Sequence, residues 1–246
     1  MQRTDKVVSF LDHLDELRHR LLVCLAVMTI AAVGFYWMID DFLAIIIKPV
    51  GHLVFTAPAE AFTARLWLTI FGGFVLALPV VIYQIWCFIA IALTEREKKY
   101  IVFFGPASVV LFIMGGLFAY LVMIPISVRF LLGFSSGLMV PMITVSNYIN
   151  FVGTLFLACG VVFEMPIILM FLTKIGIATP EFLRQKRRHA IVLIMIVSAV
   201  MTPPDVVTQL LMAVPLVLLY EIGVLLSRFL MRKSVLERVV REGDEP

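Results

Sequence analysis

Long uncharged runs recur along the chain, at residues 21–39, 66–94, 100–128, 130–163, 189–204 and 206–220. A helix rises about 1.5 Å per residue, so about 20 residues cross a hydrocarbon core of about 30 Å. The first three runs satisfy that requirement. The fourth is too long for one crossing, which places 133–146 in an external loop and leaves a span near 147–172. The last two are short. Residues 189–202 supply 14 positions and 206–220 supply 15, or about 21 and about 22 Å of helix. Short spans thin the bilayer locally or make flanking side chains such as Arg188 and Arg228 snorkel. The pattern predicts an all-α, polytopic membrane protein of six transmembrane helices, forming one domain over 1–246.

Ahead of the first span, Val7, Phe10, Leu14, Leu17 and Leu21 recur at three- and four-residue steps, with Asp12, Asp15, Glu16, Arg18 and His19 around them. That spacing predicts an amphipathic helix within 1–20. It serves either as an interfacial lead-in to span one or as a recognition surface built around Glu16. Residues 40–63 follow span one outside the membrane, with Pro49, Gly51 and Pro58 dividing them into short pieces. Span two carries Pro79 and ends in Y-Q-I-W-C-F, where Tyr83 and Trp86 fit an interfacial aromatic belt.

Composition agrees. The chain is 62% hydrophobic and 15% charged, with a mean hydropathy of +1.05, outside the range of soluble domains. Of its 20 Lys and Arg residues, only Lys48, Arg65 and Arg129 fall on one side of the predicted spans. The other 17 crowd the opposite side, which puts both termini and a tail at 229–246 in the cytoplasm. The net charge of +3 reflects that basic rim and not nucleic-acid binding. Cys24, Cys87 and Cys159 lie inside spans without paired spacing, and His13, His19, His52 and His189 are scattered. Neither a disulfide framework nor a metal site is expected. The first twenty residues do not read as a signal peptide.

Glu164 is the acid that demands an explanation. It is the one acidic residue in an otherwise uncharged stretch, 130–173, where a central carboxylate costs about 2.5–3.5 kcal/mol on insertion. Pro166 removes a backbone donor and exposes the carbonyl of Val162, so a bent, polar point is expected inside the fourth span. Such a point lines a cavity, meets a partner, or packs against another helix. One reading is a proton- or ion-coupled small-solute transporter with Glu164 as its coupling site. Residues 133–137 read G-F-S-S-G and match a nucleophile pattern, but they lie in the predicted loop, away from the strand-turn-helix setting that chemistry needs. No enzyme is expected.

The ordered blocks H-L-D-E-L-R-H-R-L (13–21), Y-Q-I-W-C-F (83–88), T-E-R-E (94–97), G-V-V-F-E-M-P (160–166) and T-P-P-D-V-V-T-Q (202–209), with Y-E-I-G near the end, carry a resemblance. Over nearly its whole length the chain resembles the TatC family, the receptor subunit of the twin-arginine protein translocase. It departs from the family at Ile91, where a proline is usual. The resemblance implies a concave six-span bundle with short fifth and sixth spans, in a bacterial, archaeal or organellar energy-transducing inner membrane. Glu16, Leu17, Arg18, Phe88 and Glu97 would bind the signal peptides of folded precursors on the cytoplasmic side. Two guanidiniums need acceptors, and carboxylates supply charge-assisted bonds. Glu97 has an alternative role, neutralising its basic neighbours Arg96, Lys98 and Lys99. Glu164 would be the intramembrane polar site, and Asp205 and Gln209 would contact a partner subunit. The implied partners are single-span TatA- and TatB-type subunits, membrane lipids and further copies of the chain. No cofactor is implied, and the proton-motive force would supply the energy.

Overall fold

The computed structural model describes residues 10–91, 93–133, 142–202 and 205–243. The described chain is helical, apart from one isolated parallel bridge between Val54 and Thr144. It divides into two compact units, residues 1–45 with 57–109 and residues 46–56 with 110–246.

In the first unit, α1 runs unbroken from Phe10 to Phe35. No proline or glycine interrupts residues 10–33, so the amphipathic lead-in and span one form a single helix. The N-terminal part of the predicted segment, with Arg3, Lys6 and Val7, lies outside the described residues. A 3-10 turn over Tyr36–Met38 leads into α2, Ile39–Ile47. Helix α3 covers Pro58–Ile91. Pro58 therefore opens this helix rather than breaking the external stretch, because the first turn does not use the amide hydrogen that proline lacks. At its other end α3 stays helical through Ile91, and the amide of Leu93 donates to the carbonyl of Ala90 at 3.2 Å. α4, Glu95–Phe118, begins just beyond.

α1 packs on α3 through small residues. A Cβ at Gly73 would lie 2.6 Å from the Cα of Ala32, so only glycine lets the two backbones come this close. Trp86 corrects one expectation. It is only 5% exposed, its indole nitrogen donates to Ser108 Oγ at 3.0 Å, and it stacks on Phe104 with centroids 5.7 Å apart. A buried indole with a hydrogen-bond partner belongs to the α3–α4 core, not to an aromatic belt. Tyr83 is exposed.

In the second unit, α4 continues through a π-helical turn, Ala119–Met123, into α5, Ile124–Leu132. Pro125 sits in the first turn of α5, where it ends the regular bonding pattern ahead of it. Thr144 then caps α6, Val145–Phe163, accepting from the amide of Asn147 at 3.4 Å. α5 thus ends and α6 begins on either side of the predicted loop. Residues 134–141, which include most of G-F-S-S-G, lie outside the described residues. α7 covers Met165–Lys174, and the short α8, Pro180–Gln185, precedes α9, Arg187–Met201. At 15 residues, α9 is about 22 Å long.

α10 runs from Val206 to Gly243. The sixth span and most of the predicted tail are therefore one helix, with 244–246 outside the described residues. The uncharged run ends at Glu221, whose carboxylate accepts from Arg187 at 2.5 Å; the apolar pattern resumes beyond it. Two close crossings hold this unit. A Cβ at Gly115 of α4 would meet the carbonyl oxygen of Cys159 at 2.5 Å, and one at Gly223 of α10 would meet Pro166 Cα at 3.1 Å.

Candidate recognition site

The N-terminal turns of α1 present an inner face that is polar where the rest of the helix is apolar. His13, Glu16 and Arg20 follow one another at helical spacing and are half-buried, whereas Leu14, Leu17 and Leu21 point away. On α3 the facing residues are Gln84 and Phe88, four apart and so on one side of that helix. The rings of His13 and Phe88 lie 4.5 Å apart. Arg20 Nη2 sits 2.5 Å from Glu16 Oε1, and Arg20 Nη1 donates to Gln84 Oε1 at 2.9 Å. One guanidinium thus joins the carboxylate of α1 to the amide of α3, with Glu16 held between two inter-helix contacts.

Glu97 is fixed differently. Its Oε2 accepts from the backbone amide of Thr94 at 2.9 Å and from Thr94 Oγ1 at 2.8 Å. Thr94-x-x-Glu97 has the capping-box spacing and makes its return half: the Glu97 carboxylate takes up the Thr94 amide, while the Glu97 amide donates to the Thr94 carbonyl at 2.9 Å. Glu97 stands ahead of the uncharged run at 100–128, and the bonds from the Thr94 backbone and side chain hold its carboxyl below the ordinary glutamate range. Each acid therefore spends one oxygen on an internal donor.

The structure places Glu16 and Phe88 at the α1–α3 junction, through the Arg20–Gln84 and His13–Phe88 contacts, and Glu97 in the first turn of α4, all within the first unit. It does not bring Leu17 or Arg18 to Phe88. Leu17 is 44% exposed on the outward side of α1, and Arg18 is also exposed. His13, Arg20, Gln84 and Thr94 are structural partners that a residue-by-residue reading passes over. The Glu16–Arg20 spacing of four and the T-x-x-E pattern are the signals that reveal two of them. Beside the site, α3 and α4 enclose an apolar cavity of about 620 Å³ lined by Pro79, Trp86, Cys87, Val102 and Pro106, with Lys98 on its wall.

The remaining candidates lie in the second unit. Glu164 is the junction of α6 and α7: its amide donates to Val161 at 3.2 Å, and its carbonyl accepts from Ile168 at 3.0 Å. The break falls two residues before Pro166, because that proline occupies the first turn of α7. Asp205 caps α10, accepting from the Thr208 amide at 2.7 Å and from the Thr208 hydroxyl. Gln209 donates its side-chain amide to the carbonyl of Met195 at 3.2 Å, joining α10 to α9.

Five described helical stretches, His13–Ile47, Pro58–Ile91, Glu97–Leu132, Val145–Lys174 and Val206–Met231, are long and apolar enough to cross a membrane. These helices define an all-helical, multi-pass membrane protein. The family model for the Sec-independent protein translocase protein TatC matches residues 12–215. The TatC protein of Carboxydothermus hydrogenoformans is 37% identical over 94% of this chain and 97% of its own length. That of Aquifex aeolicus is 39% identical over 91% and 96%. A crystal structure described as the twin arginine translocase receptor TatC superposes with a TM-score of 0.75 at 38% identity, over 88% of this chain and 98% of that one. The chain belongs to the TatC family of Sec-independent protein translocases. Nothing in these matches supports a small-solute transporter.

Proposed function

We propose that this chain is the receptor subunit of a twin-arginine translocase, binding the signal peptides of folded precursors through Glu16, Phe88 and Glu97 and nucleating the export complex. The observation that carries the reading is the α1–α3 junction. Glu16 is tied to α3 through Arg20 and Gln84 while His13 lies on Phe88, so two separate sequence blocks present an acid and an aromatic ring side by side. Glu16 and Glu97 each accept from one guanidinium of the peptide, and Phe88 offers an aromatic surface for its neighbouring residues. Leu17 and Arg18, on the outward side of α1, contribute at the edge of the site.

The chain lies in an energy-transducing inner membrane with both termini in the cytoplasm, as the distribution of basic residues favours. It acts by binding and assembly, drawing on the proton-motive force. TatA- and TatB-type single-span subunits and further copies of the chain are its partners. Asp205 and Gln209, at the start of α10, form a polar contact for a partner helix, and Glu164 is the intramembrane polar group that meets an entering segment. Site-specific crosslinking of a twin-arginine precursor to probes at positions 16 and 97 tests the reading directly. In binding assays the Glu16→Ala, Glu97→Ala double variant should weaken signal-peptide affinity by about 1.5–3 kcal/mol per lost charge-assisted bond. Unchanged affinity would sink the assignment.

A further inference from the structure

Arg20 is placed where a ligand arginine would go, yet it belongs to the receptor. Its Nη2 engages Glu16 Oε1 at 2.5 Å and its Nη1 engages Gln84 at 2.9 Å. Its side chain is 19% exposed against 38% for Glu16. The Nε is buried and makes no hydrogen bond among the described residues, so the guanidinium keeps this orientation although one donor goes unused. Unused buried donors are uncommon and call for an explanation. A carboxylate has about four acceptor positions on two oxygens. Arg20 engages Oε1, which leaves the acceptor positions of Oε2 for another donor.

We propose that Arg20 is a positioning residue for signal-peptide recognition: anchored on Gln84, it grips one oxygen of Glu16 and turns the other toward the incoming guanidinium. This inference rests on the reading of Glu16 as an acceptor. It makes a prediction of opposite sign to simple charge bookkeeping. A fixed cation beside the site repels a cationic peptide, so on Coulomb grounds its removal tightens binding. If Arg20 aims the carboxylate, its removal weakens binding, because Glu16 then samples rotamers that face away from the peptide. Arginine, a planar fork, depends on that aim more than lysine does, since lysine is a point charge. Arg20 thus contributes to discrimination between paired arginines and paired lysines.

The test uses the full-length protein in nanodiscs and labelled peptides carrying either two arginines or two lysines. Arg20→Gln should weaken the arginine peptide about tenfold and narrow its advantage over the lysine peptide. Gln84→Leu, which removes only the anchor, should act in the same direction. In a Glu16→Gln background, where no carboxylate remains for Arg20 to aim, Arg20→Gln should bring no further loss. Unchanged or tighter binding by Arg20→Gln, with Glu16→Gln still weakening, overturns this inference alone. So does a loss from Arg20→Gln that persists at full size in the Glu16→Gln background, since it marks a purely structural role. If Glu16→Gln itself binds normally, the acceptor reading fails and this inference falls with it.

Discussion

The two units hold their helices together by the same device but place their polar groups by different ones. In the first, Gly73 lets α1 lie against α3, and the polar ends of those helices are then bridged by Arg20. In the second, Gly115 sits against the backbone of α6 and Gly223 against Pro166, while Glu164 occupies a break inside a span. The acids of the first unit stand at or near helix starts, where donors are plentiful. In the second, Asp205 and Glu221 accept from Thr208 and Arg187, whereas Glu164 stands at the junction of two helical segments inside a span. Small-residue packing thus sets helix positions in both units, and polar bonding adjusts only the ends.

The largest effect should come from attacking the shared device. Gly73→Leu and Gly115→Leu each drive a side chain into a neighbouring backbone, which cannot repack as a side chain would. Each should cost about 3 kcal/mol, read as loss of folded protein in thermal melts in detergent. Gly34→Leu, at a position with nothing within 4 Å of a new Cβ, should melt normally. If Gly73→Leu folds as well as Gly34→Leu, the polar bridges and not the glycine contact hold α1 on α3, and the comparison above is wrong.

A smaller effect separates the acids. On the proposed reading, Glu164 meets an entering backbone or side chain as a hydrogen-bonding group inside the span. Glu164→Gln keeps a donor at the same place and should retain much of the export activity. Glu164→Ala should lose more, by about 1–2 kcal/mol of interaction, while assembly with partner subunits survives better than transport in both. Export assays at matched expression decide it. If glutamine performs as poorly as alanine, an ionisable group is required there.

Much of this architecture is legible in the sequence because the hydrocarbon requirement is severe. The runs at 66–94 and 100–128 predict α3 and the α4–α5 column, and the long run at 130–163 correctly splits near 133–146. What stays hidden is what neighbours decide. Trp86 reads as interfacial because it stands near the end of an apolar run, and only Ser108 and Phe104 on the next helix make it core. Glu221 reads as the end of a span, but its partner Arg187 lies 34 residues away, so the helix continues past it. Glu16 is visible as a candidate acid, whereas the helix-to-helix anchor supplied by Gln84 depends on how α1 and α3 meet.

The finest contrast lies within the first unit, between an acid fixed across helices and one fixed by its own helix start. Thr94→Val removes the hydroxyl that donates to Glu97, costing about 1 kcal/mol of local helix stability. Because Thr94 depresses the Glu97 carboxyl below its ordinary 4.5, the stabilisation is present above that pH and is lost as the pH falls through the lower, folded-state value. In the native protein, hydrogen exchange of the first-turn amides of α4 should therefore accelerate as the pH is lowered past that point, after correction for the intrinsic rate. In Thr94→Val the same amides should exchange faster at neutral pH and show less of this acid dependence. Glu16 should be indifferent to the change, with its affinity contribution intact in the variant. If Thr94→Val instead weakens peptide binding as strongly as Glu97→Ala, the cap aims Glu97 as Arg20 aims Glu16, and both acids are positioned in the same manner.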